Sequence, residues 1–154
     1  MVKRSEILAV VLCVLGVCTA INAQSVSGSI ESGKLTRGTA GKATVVLLIP
    51  GGLHVNSNRP NSEYAIATTV RASSRGVKIG SVSYPRGHNR KFEFSEKPIN
   101  VYESKAAFTF PVTVPAGYKG KTVRINATVH YQACTHEVCY PPKSVPVTLT
   151  ARVL

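Results

Sequence analysis

The amino-acid sequence predicts an all-β fold, a sandwich of about eight short antiparallel strands. Apolar and polar residues alternate along most of the chain, as expected for strands that bury one face. Beyond the N-terminal segment, the apolar residues do not follow the spacing that indicates an amphipathic helix. Turn-forming proline, glycine and asparagine residues recur at intervals of roughly ten residues, which matches the strand spacing of a sandwich.

The N-terminal segment is predicted to be a secretory signal peptide rather than part of the fold. Lys3 and Arg4 precede an apolar run of residues 7–18, and small residues then lead to Ala23. The run is shorter than the roughly 20 residues needed to cross a bilayer. We expect cleavage after Ala23, with cleavage after Ala20 or a retained N-terminal anchor as alternatives.

Removal of residues 1–23 leaves one domain, residues 24–154, which is long enough to enclose a single hydrophobic core. Within it, residues 44–49 form a continuous run of apolar and β-branched residues that favours a strand at the centre of the sandwich. The apolar positions of residues 77–82 change phase near Gly80, which indicates a β-bulge.

Three further strands are predicted in the last third of the chain. Residues 108–114 place aromatic and valine side chains on one face. Residues 121–133 and 144–153 alternate in the same way and are predicted to pair as a hairpin. Their connection carries Cys134 and Cys139, so both cysteines are expected at one end of the sandwich, on a loop of the kind that often carries function.

Cys134 and Cys139 are the only cysteines of the mature domain, and an oxidising compartment leaves them one intramolecular pairing. Such a bond closes a short loop and constrains the unfolded chain by only about 2 kcal/mol. A redox-active pair is one interpretation, because a partner thiolate can reach an exposed loop and His136 would favour a thiolate. An inert hairpin clip is the second. A zinc or copper(I) site that includes His130 and His136 is the third.

The charge is strongly positive, with 19 lysine and arginine residues against 7 acidic residues and no aspartate. The basic residues are scattered, which suits solvation and attraction to acidic partners or an anionic membrane surface. Export and the absence of a basic-aromatic motif lead us to expect no nucleic-acid partner. The sequence shows no serine-histidine-acid arrangement, carboxylate pair or phosphate loop, and we expect neither a metal nor an organic cofactor.

The residues around the cysteines resemble a known family. The segments Tyr131-Gln132-Ala133-Cys134 and Cys139-Tyr140-Pro141-Pro142 resemble the active-site hairpin of the N-terminal periplasmic domain of the DsbD family of thiol:disulfide interchange proteins. Residues 52–58 and 94–102 are similar to two further segments of that family, with less specific motifs. The resemblance extends over most of residues 26–153.

The resemblance implies an immunoglobulin-like sandwich whose cysteines cycle between dithiol and disulfide to pass electrons to oxidised periplasmic partners. In the family the second cysteine forms the mixed disulfide, a role that maps onto Cys139, with Cys134 as the resolving cysteine. An aromatic residue on a cap loop shields the pair in the family. Phe94 is the candidate for that residue here, with Phe92 as the alternative.

Three residues next to the pair are predicted to support it. Tyr131 falls on the inward phase of its strand and is expected in the core, whereas His136 lies within the cysteine loop. Tyr140 is expected either to pack over the disulfide or to end the loop. His54 is interpreted as a structural histidine at the start of a loop rather than as a catalyst.

The expected partners follow from the same resemblance: oxidised periplasmic thioredoxin-fold proteins or a disulfide isomerase, acting with a monomer of this chain. The family continues into a membrane domain and a thioredoxin-like domain, so a membrane electron donor is expected in trans. The loop has four residues between the cysteines, fewer than in the best-known members, which would alter the redox potential. The alternative function is a non-catalytic exported sandwich that binds a partner, with a structural disulfide.

Overall fold

The computed structural model describes residues 24–154, so the predicted signal peptide lies outside the described part of the chain. These residues include one short 3-10 helix, Glu31–Gly33, and no helix among them is long and apolar enough to cross a membrane. The strands are β1 Ser25–Ile30, β2 Lys34–Leu35, β3 Ala40–Leu48, β4 His54–Asn56, β5 Thr69–Ser74, β6 Lys78–Ile79, β7 His88–Arg90, β8 Ile99–Tyr102, β9 Lys105–Thr113, β10 Thr122–Tyr131, β11 Ala133–Cys134 and β12 Lys143–Val153.

The strands form two long sheets and one short sheet. The long sheets have the orders β1-β3-β9-β6 and β2-β12-β10-β5, and the short sheet has the order β11-β4-β8-β7. The described pairings are antiparallel except for β2 beside β12, which is parallel. The count exceeds the predicted eight because five strands are only two or three residues long, too short to show a periodicity.

The two long sheets enclose one hydrophobic core, because each long strand sends alternate side chains inward. Phe108 and Phe110 of β9 and Ile125 of β10 are fully buried in it. The sheets approach closely where β1 crosses β12, since a Cβ atom at Gly28 would lie 2.7 Å from Cγ of Leu149. The all-β immunoglobulin-like sandwich predicted from the sequence is therefore confirmed.

The predicted hairpin is also confirmed, with β10 and β12 in register from Thr122 opposite Arg152 to Tyr131 opposite Lys143. The predicted bulge near Gly80 is present as well. Residues 79 and 83 of one strand pair with residues 112 and 109 of the other, so that one strand carries an extra residue between the two pairings.

The apolar run at residues 44–49 lies at the centre of a sheet, as predicted. It lies in β3, an inner strand of its sheet, but only one face of the strand belongs to the core. Val45 and Leu47 are fully buried, whereas Leu48 is 47% exposed. A two-layer sandwich leaves the outer face of each sheet to solvent, which explains the difference.

The short sheet holds the cysteine loop at one end of the sandwich. After β10, the chain continues through Gln132 into β11, which pairs with β4. Strand β4 pairs in turn with β8, and β8 with β7. The cysteines are therefore supported by a sheet whose strands come from distant parts of the sequence.

Candidate functional site

Cys134 and Cys139 form a disulfide at the tip of this short sheet. The two residues face each other as an isolated antiparallel bridge, with their Cα atoms 3.9 Å apart. Next to the bridge, the amide of Tyr140 donates a hydrogen bond of 2.9 Å to the carbonyl of Ala133. The cysteine loop is thus a narrow extension of the strand ladder.

Thr135 closes the turn between the two cysteines. Its amide donates a hydrogen bond of 2.8 Å to the carbonyl of Val138. Its hydroxyl accepts hydrogen bonds from the amides of Glu137, at 3.2 Å, and Val138, at 3.1 Å. A threonine hydroxyl that satisfies the amides following it is a common way to order a tight turn, so Thr135 fixes the loop locally.

The two cysteines differ sharply in exposure. Cys134 has no accessible surface, whereas Cys139 is exposed and lines a surface cleft. Exchange requires direct approach of one sulfur atom to another. A partner arriving from solvent therefore meets Cys139 first, and Cys134 is reached only from within the loop.

His54 lies directly beside Cys134 on the neighbouring strand. The two residues are partners in the antiparallel pairing of β11 with β4, so their side chains leave the sheet on the same face. His54 is only 3% exposed, and within residues 24–154 its Nε2 atom has no hydrogen-bond partner. Burial lowers the pKa of His54 from its ordinary value of 6.5 to about 4, so the imidazole is neutral at neutral pH.

An aromatic stack rises from His54 towards the surface. The ring of Phe92 lies over the His54 imidazole at 4.1 Å between centroids, and the ring of Phe94 lies 5.2 Å from Phe92. His136 of the cysteine loop meets Phe92 edge-on at 5.6 Å. Phe92 is buried, and Phe94 is 45% exposed. The two candidates for the cap residue therefore stack on each other. Phe94 faces solvent, and Phe92 lies between Phe94 and His54.

A cleft of about 650 Å³ opens beside the disulfide. Phe94 and Cys139 lie on its wall, together with the side chains of several polar and charged residues. This volume lies within the range of about 300–1,000 Å³ that is typical of ligand-binding pockets. The other lining residues are Asn56, Asn61, Ser62, Glu63, Tyr64, Ala65, Ser95, Glu96, Lys97, Ile99 and Gln132.

Two side-chain amides at the floor of the cleft link the cysteine loop to the rest of the domain. Gln132 donates a hydrogen bond of 3.1 Å to the carbonyl of Tyr140, just after Cys139. Asn56 donates to Gln132 Oε1 at 3.4 Å and to the carbonyl of Ile66 at 3.0 Å. The backbone on both sides of the disulfide is therefore fixed to β4 and to the segment that follows it.

The structure distributes the predicted supporting residues over three environments. Tyr131 is buried in the core as expected, and its burial raises the pKa of its phenol. His136 contacts the aromatic stack, whereas the side chain of Tyr140 is 45% exposed. Their roles in the chemistry stay predictions. His54 lies within a strand instead of at the start of a loop.

The geometry favours a disulfide over a metal site. Among the residues that the structure describes, no group of three or more histidine, cysteine or acidic side chains is placed to hold a metal ion. Cys134 and Cys139 are joined to each other, and Nδ1 of His130 lies 3.0 Å from the hydroxyl of Ser144.

Three residues of the site were not predicted from the sequence: His54 as a neighbour of Cys134, Asn56 and Gln132. Each acts through a contact between β4 and the cysteine loop, which are far apart in the chain. Single-sequence periodicity does not report such a pairing. The available signals were two parts of the resemblance to the DsbD family: residues 52–58, which include His54 and Asn56, and the motif Tyr131-Gln132-Ala133-Cys134, which includes Gln132.

Comparison with known proteins points to one family. The family model described as "Thiol:disulfide interchange protein DsbD, N-terminal" matches residues 33–151. The thiol:disulfide interchange protein DsbD of Actinobacillus pleuropneumoniae serotype 5b is 24% identical over 97 residues, which are 63% of this chain. The chain spans 15% of the length of that relative.

Solved structures include two similar domains. The reduced DsbD N-terminal domain of Neisseria meningitidis is 20% identical, with a TM-score of 0.48, over 71% of this chain and 77% of that one. The N-terminal periplasmic domain of ScsB from Proteus mirabilis is 11% identical, with a TM-score of 0.51, over 74% of this chain and 42% of that one. At these sequence identities, neither likeness extends beyond the fold.

Proposed function

This chain belongs to the family of DsbD N-terminal domains, and we propose that its thiol-disulfide exchange passes electrons to oxidised partner proteins through Cys134 and Cys139. The observation that carries the proposal is the unequal exposure of the pair. Cys139 is open to a cleft, and Cys134 is buried against the short sheet. A pair that served only as a clip would need neither the cleft nor this asymmetry.

In the proposed reaction, the thiolate of Cys139 attacks one sulfur of the partner's disulfide. A bond forms between Cys139 and the partner, and the partner's second sulfur leaves as a thiolate. Cys134 then attacks the sulfur of Cys139, which restores the Cys134–Cys139 disulfide and releases the partner's first sulfur. Two electrons and two protons have then passed to the partner. Cys139 is the attacking cysteine, and Cys134 is the resolving one.

The surroundings support this division of roles. Phe94 shields one side of the cleft, and the hydrogen bonds of Gln132 and Thr135 hold the loop in place while the bond between Cys134 and Cys139 opens and closes. His136 and Tyr140 are proposed to contact the partner, since both are exposed next to Cys139.

We place this reaction in the periplasm, with oxidised thioredoxin-fold proteins or a disulfide isomerase as electron acceptors and a membrane protein as electron donor. Family membership supports this placement. We propose that the cleft receives the segment that carries a partner's reactive cysteine.

A redox titration of residues 24–154 against a thiol buffer tests the function. A working pair should have a reduction potential above about −300 mV, within reach of physiological dithiols. A purely structural disulfide should lie below that value and resist reduction. The second result, found together with no mixed disulfide, would leave only the alternative of a non-catalytic binding module.

The division of roles is tested by trapping. The Cys134→Ser variant should accumulate a mixed disulfide with an oxidised thioredoxin-fold protein, because the resolving sulfur is missing. The matched Cys139→Ser variant should accumulate none, because its single thiol is buried. Equal trapping by both variants would contradict the assigned roles.

A further inference from the structure

Nε2 of His54 is a polar atom in an unusual situation. It is buried, and no atom of the described chain hydrogen-bonds to it. Buried polar atoms nearly always have a partner, so an exception beside a reactive cysteine requires an explanation, and a role in the redox chemistry is one. The imidazole cannot be explained as an ion pair either, because burial keeps it neutral with a pKa of about 4.

The neighbour of this nitrogen changes chemically during the proposed reaction. His54 is the strand partner of Cys134, so their Cβ atoms are expected to lie about 4.5–5.5 Å apart on one face. In the disulfide form, the sulfur of Cys134 carries no hydrogen and donates nothing. Reduction gives it an S–H group, a donor placed beside a buried acceptor.

The charged groups around His54 do not compete for this nitrogen. Glu103 raises the pKa of His54, while Arg90 and His136 lower it, and all three effects are smaller than that of burial. The carboxylate of Glu103 is held by Nε2 of His88 at 2.6 Å and by Nε of Arg90 at 3.5 Å. The imidazole therefore meets Cys134 as a neutral ring.

We infer that His54 is a positioning residue for the resolving cysteine: in the dithiol form, its Nε2 accepts a hydrogen bond from the thiol of Cys134. The inference rests on the proposed exchange function and deepens it. The bond exists only after reduction, so it stabilises the dithiol relative to the disulfide and raises the reduction potential. A neutral acceptor also favours the thiol of Cys134 over its thiolate.

The hydrogen bond is consistent with the proton balance of the second exchange step, in which Cys134 attacks the sulfur of Cys139. The attacking species in disulfide exchange is a thiolate, so the Cys134 thiol releases its proton as its sulfur approaches Cys139 in the mixed disulfide. The Cys134–Cys139 bond then forms, the bond between Cys139 and the partner breaks, and the proton passes to the departing partner thiolate. His54 holds the thiol beside its target and undergoes no net change.

Three variants test the inference through the equilibrium with glutathione at pH 7. His54→Phe keeps a ring stacked on Phe92 but removes the acceptor, and it should shift the equilibrium towards the disulfide about tenfold, equivalent to about 30 mV. His54→Gln returns an acceptor and should recover part of this shift. His130→Gln, on the exposed face of β10 next to Ser144, is the matched control and should change nothing.

The nitrogen itself gives the second measurement. In protein labelled with ¹⁵N-histidine, the Nε2 resonance of His54 should move on reduction, and the resonance of His130 should not. An unchanged resonance, together with a His54→Phe potential equal to that of the wild type, would overturn the inference. If thiol buffers fail to reduce the pair, the proposed exchange function fails. A strong chemical reductant still gives the dithiol form, so the Nε2 resonance can be measured and the hydrogen bond tested independently of that function.

Discussion

The two ends of the sandwich differ in how completely their buried polar groups are hydrogen-bonded. At the end opposite the cysteines, the guanidinium of Arg37 donates hydrogen bonds to the carbonyls of Tyr118 and Gly120 at 2.9 and 3.1 Å, and Leu35 is buried in the core. At the cysteine end, His54 is buried without such satisfaction within residues 24–154, and Cys139 faces solvent. The polar groups of Arg37 are therefore paired within the protein, whereas Nε2 of His54 and the sulfur of Cys139 remain available for the proposed exchange reaction.

Charge separates the same two ends. Five of the six glutamates in residues 24–154 lie at the cysteine end. The sixth, Glu31, lies elsewhere and pairs with Lys42 at 3.7 Å between Oε1 and Nζ. The loops at the opposite end, residues 34–39, 75–78 and 114–121, contain cations and no acidic residue. The excess positive charge of residues 24–154, with 17 lysine and arginine residues against 6 glutamates, therefore lies more at the opposite end than at the cysteine end. A partner at the disulfide meets a surface of mixed sign, which favours selective docking over general attraction.

The largest effect on stability is expected from Leu35→Ala at the opposite end. Leu35 is 1% exposed, and truncation of a buried leucine costs about 3–5 kcal/mol through lost burial and a cavity. Urea denaturation of the oxidised protein should show this loss, and the reduction potential of the pair should stay unchanged.

The matched control for Leu35→Ala lies at the cysteine end. Val138 is 55% exposed within the cysteine loop, so Val138→Ala should change the free energy of unfolding by less than about 0.5 kcal/mol. A shift of potential in Leu35→Ala would show that the two ends are coupled, which would contradict the prediction.

A second prediction concerns the stability of the folded protein in acid, which should depend on His54 at the cysteine end. His54 has a pKa of about 4 in the folded protein and about 6.5 when unfolded, so the unfolded chain binds more protons between these values. The free energy of unfolding should therefore fall by roughly 3 kcal/mol as the pH drops from about 6.5 to 4. His54→Phe should remove this part of the pH dependence. Urea titrations at several pH values measure it, and equal slopes for both proteins would refute the prediction.

Much of the sandwich was predictable because the alternation of apolar and polar residues along a long strand shows which of its side chains are buried. Strands β9, β10 and β12 alternate over nine or more residues, and this local pattern fixes both their identity and their inward face. The hairpin of β10 and β12 follows from their neighbourhood in sequence. The place of the cysteines at its tip follows as well, so the sequence alone predicts where the site lies.

The support of the site was not predictable in the same way. Strand β4 is three residues long and β11 only two, so neither shows a period. Their pairing sets His54 beside Cys134, and it arises from long-range packing that a single sequence does not display. The resemblance to the DsbD family indicated a cap aromatic, but not that Phe92 and Phe94 stack on His54.

A third prediction tests whether the aromatic stack limits access to the disulfide. Phe94 forms part of the cleft wall next to Cys139, so Phe94→Ala should increase the rate of reduction by a small dithiol about tenfold or less. The reduction potential should stay the same, because Phe94 shields both redox states. Stopped-flow measurement of dithiol formation gives the rate. Tyr64→Ala is the control, since Tyr64 is 88% exposed on the same cleft and its loss should leave the rate unchanged.

The smallest effect is expected from Thr135→Val, which keeps the shape of the side chain but removes the hydroxyl that orders the turn. Two amide hydrogen bonds are lost at an exposed position, where water replaces them, so the free energy of unfolding should fall by about 1 kcal/mol or less. Once the disulfide is open, the turn is held by the two hydroxyl contacts and by the bond from the Thr135 amide to the Val138 carbonyl, so loss of the hydroxyl should cost more in the reduced protein. Denaturation of both redox forms measures this difference. Equal losses in both forms would show that the strand ladder, and not Thr135, keeps the cysteine loop folded during exchange.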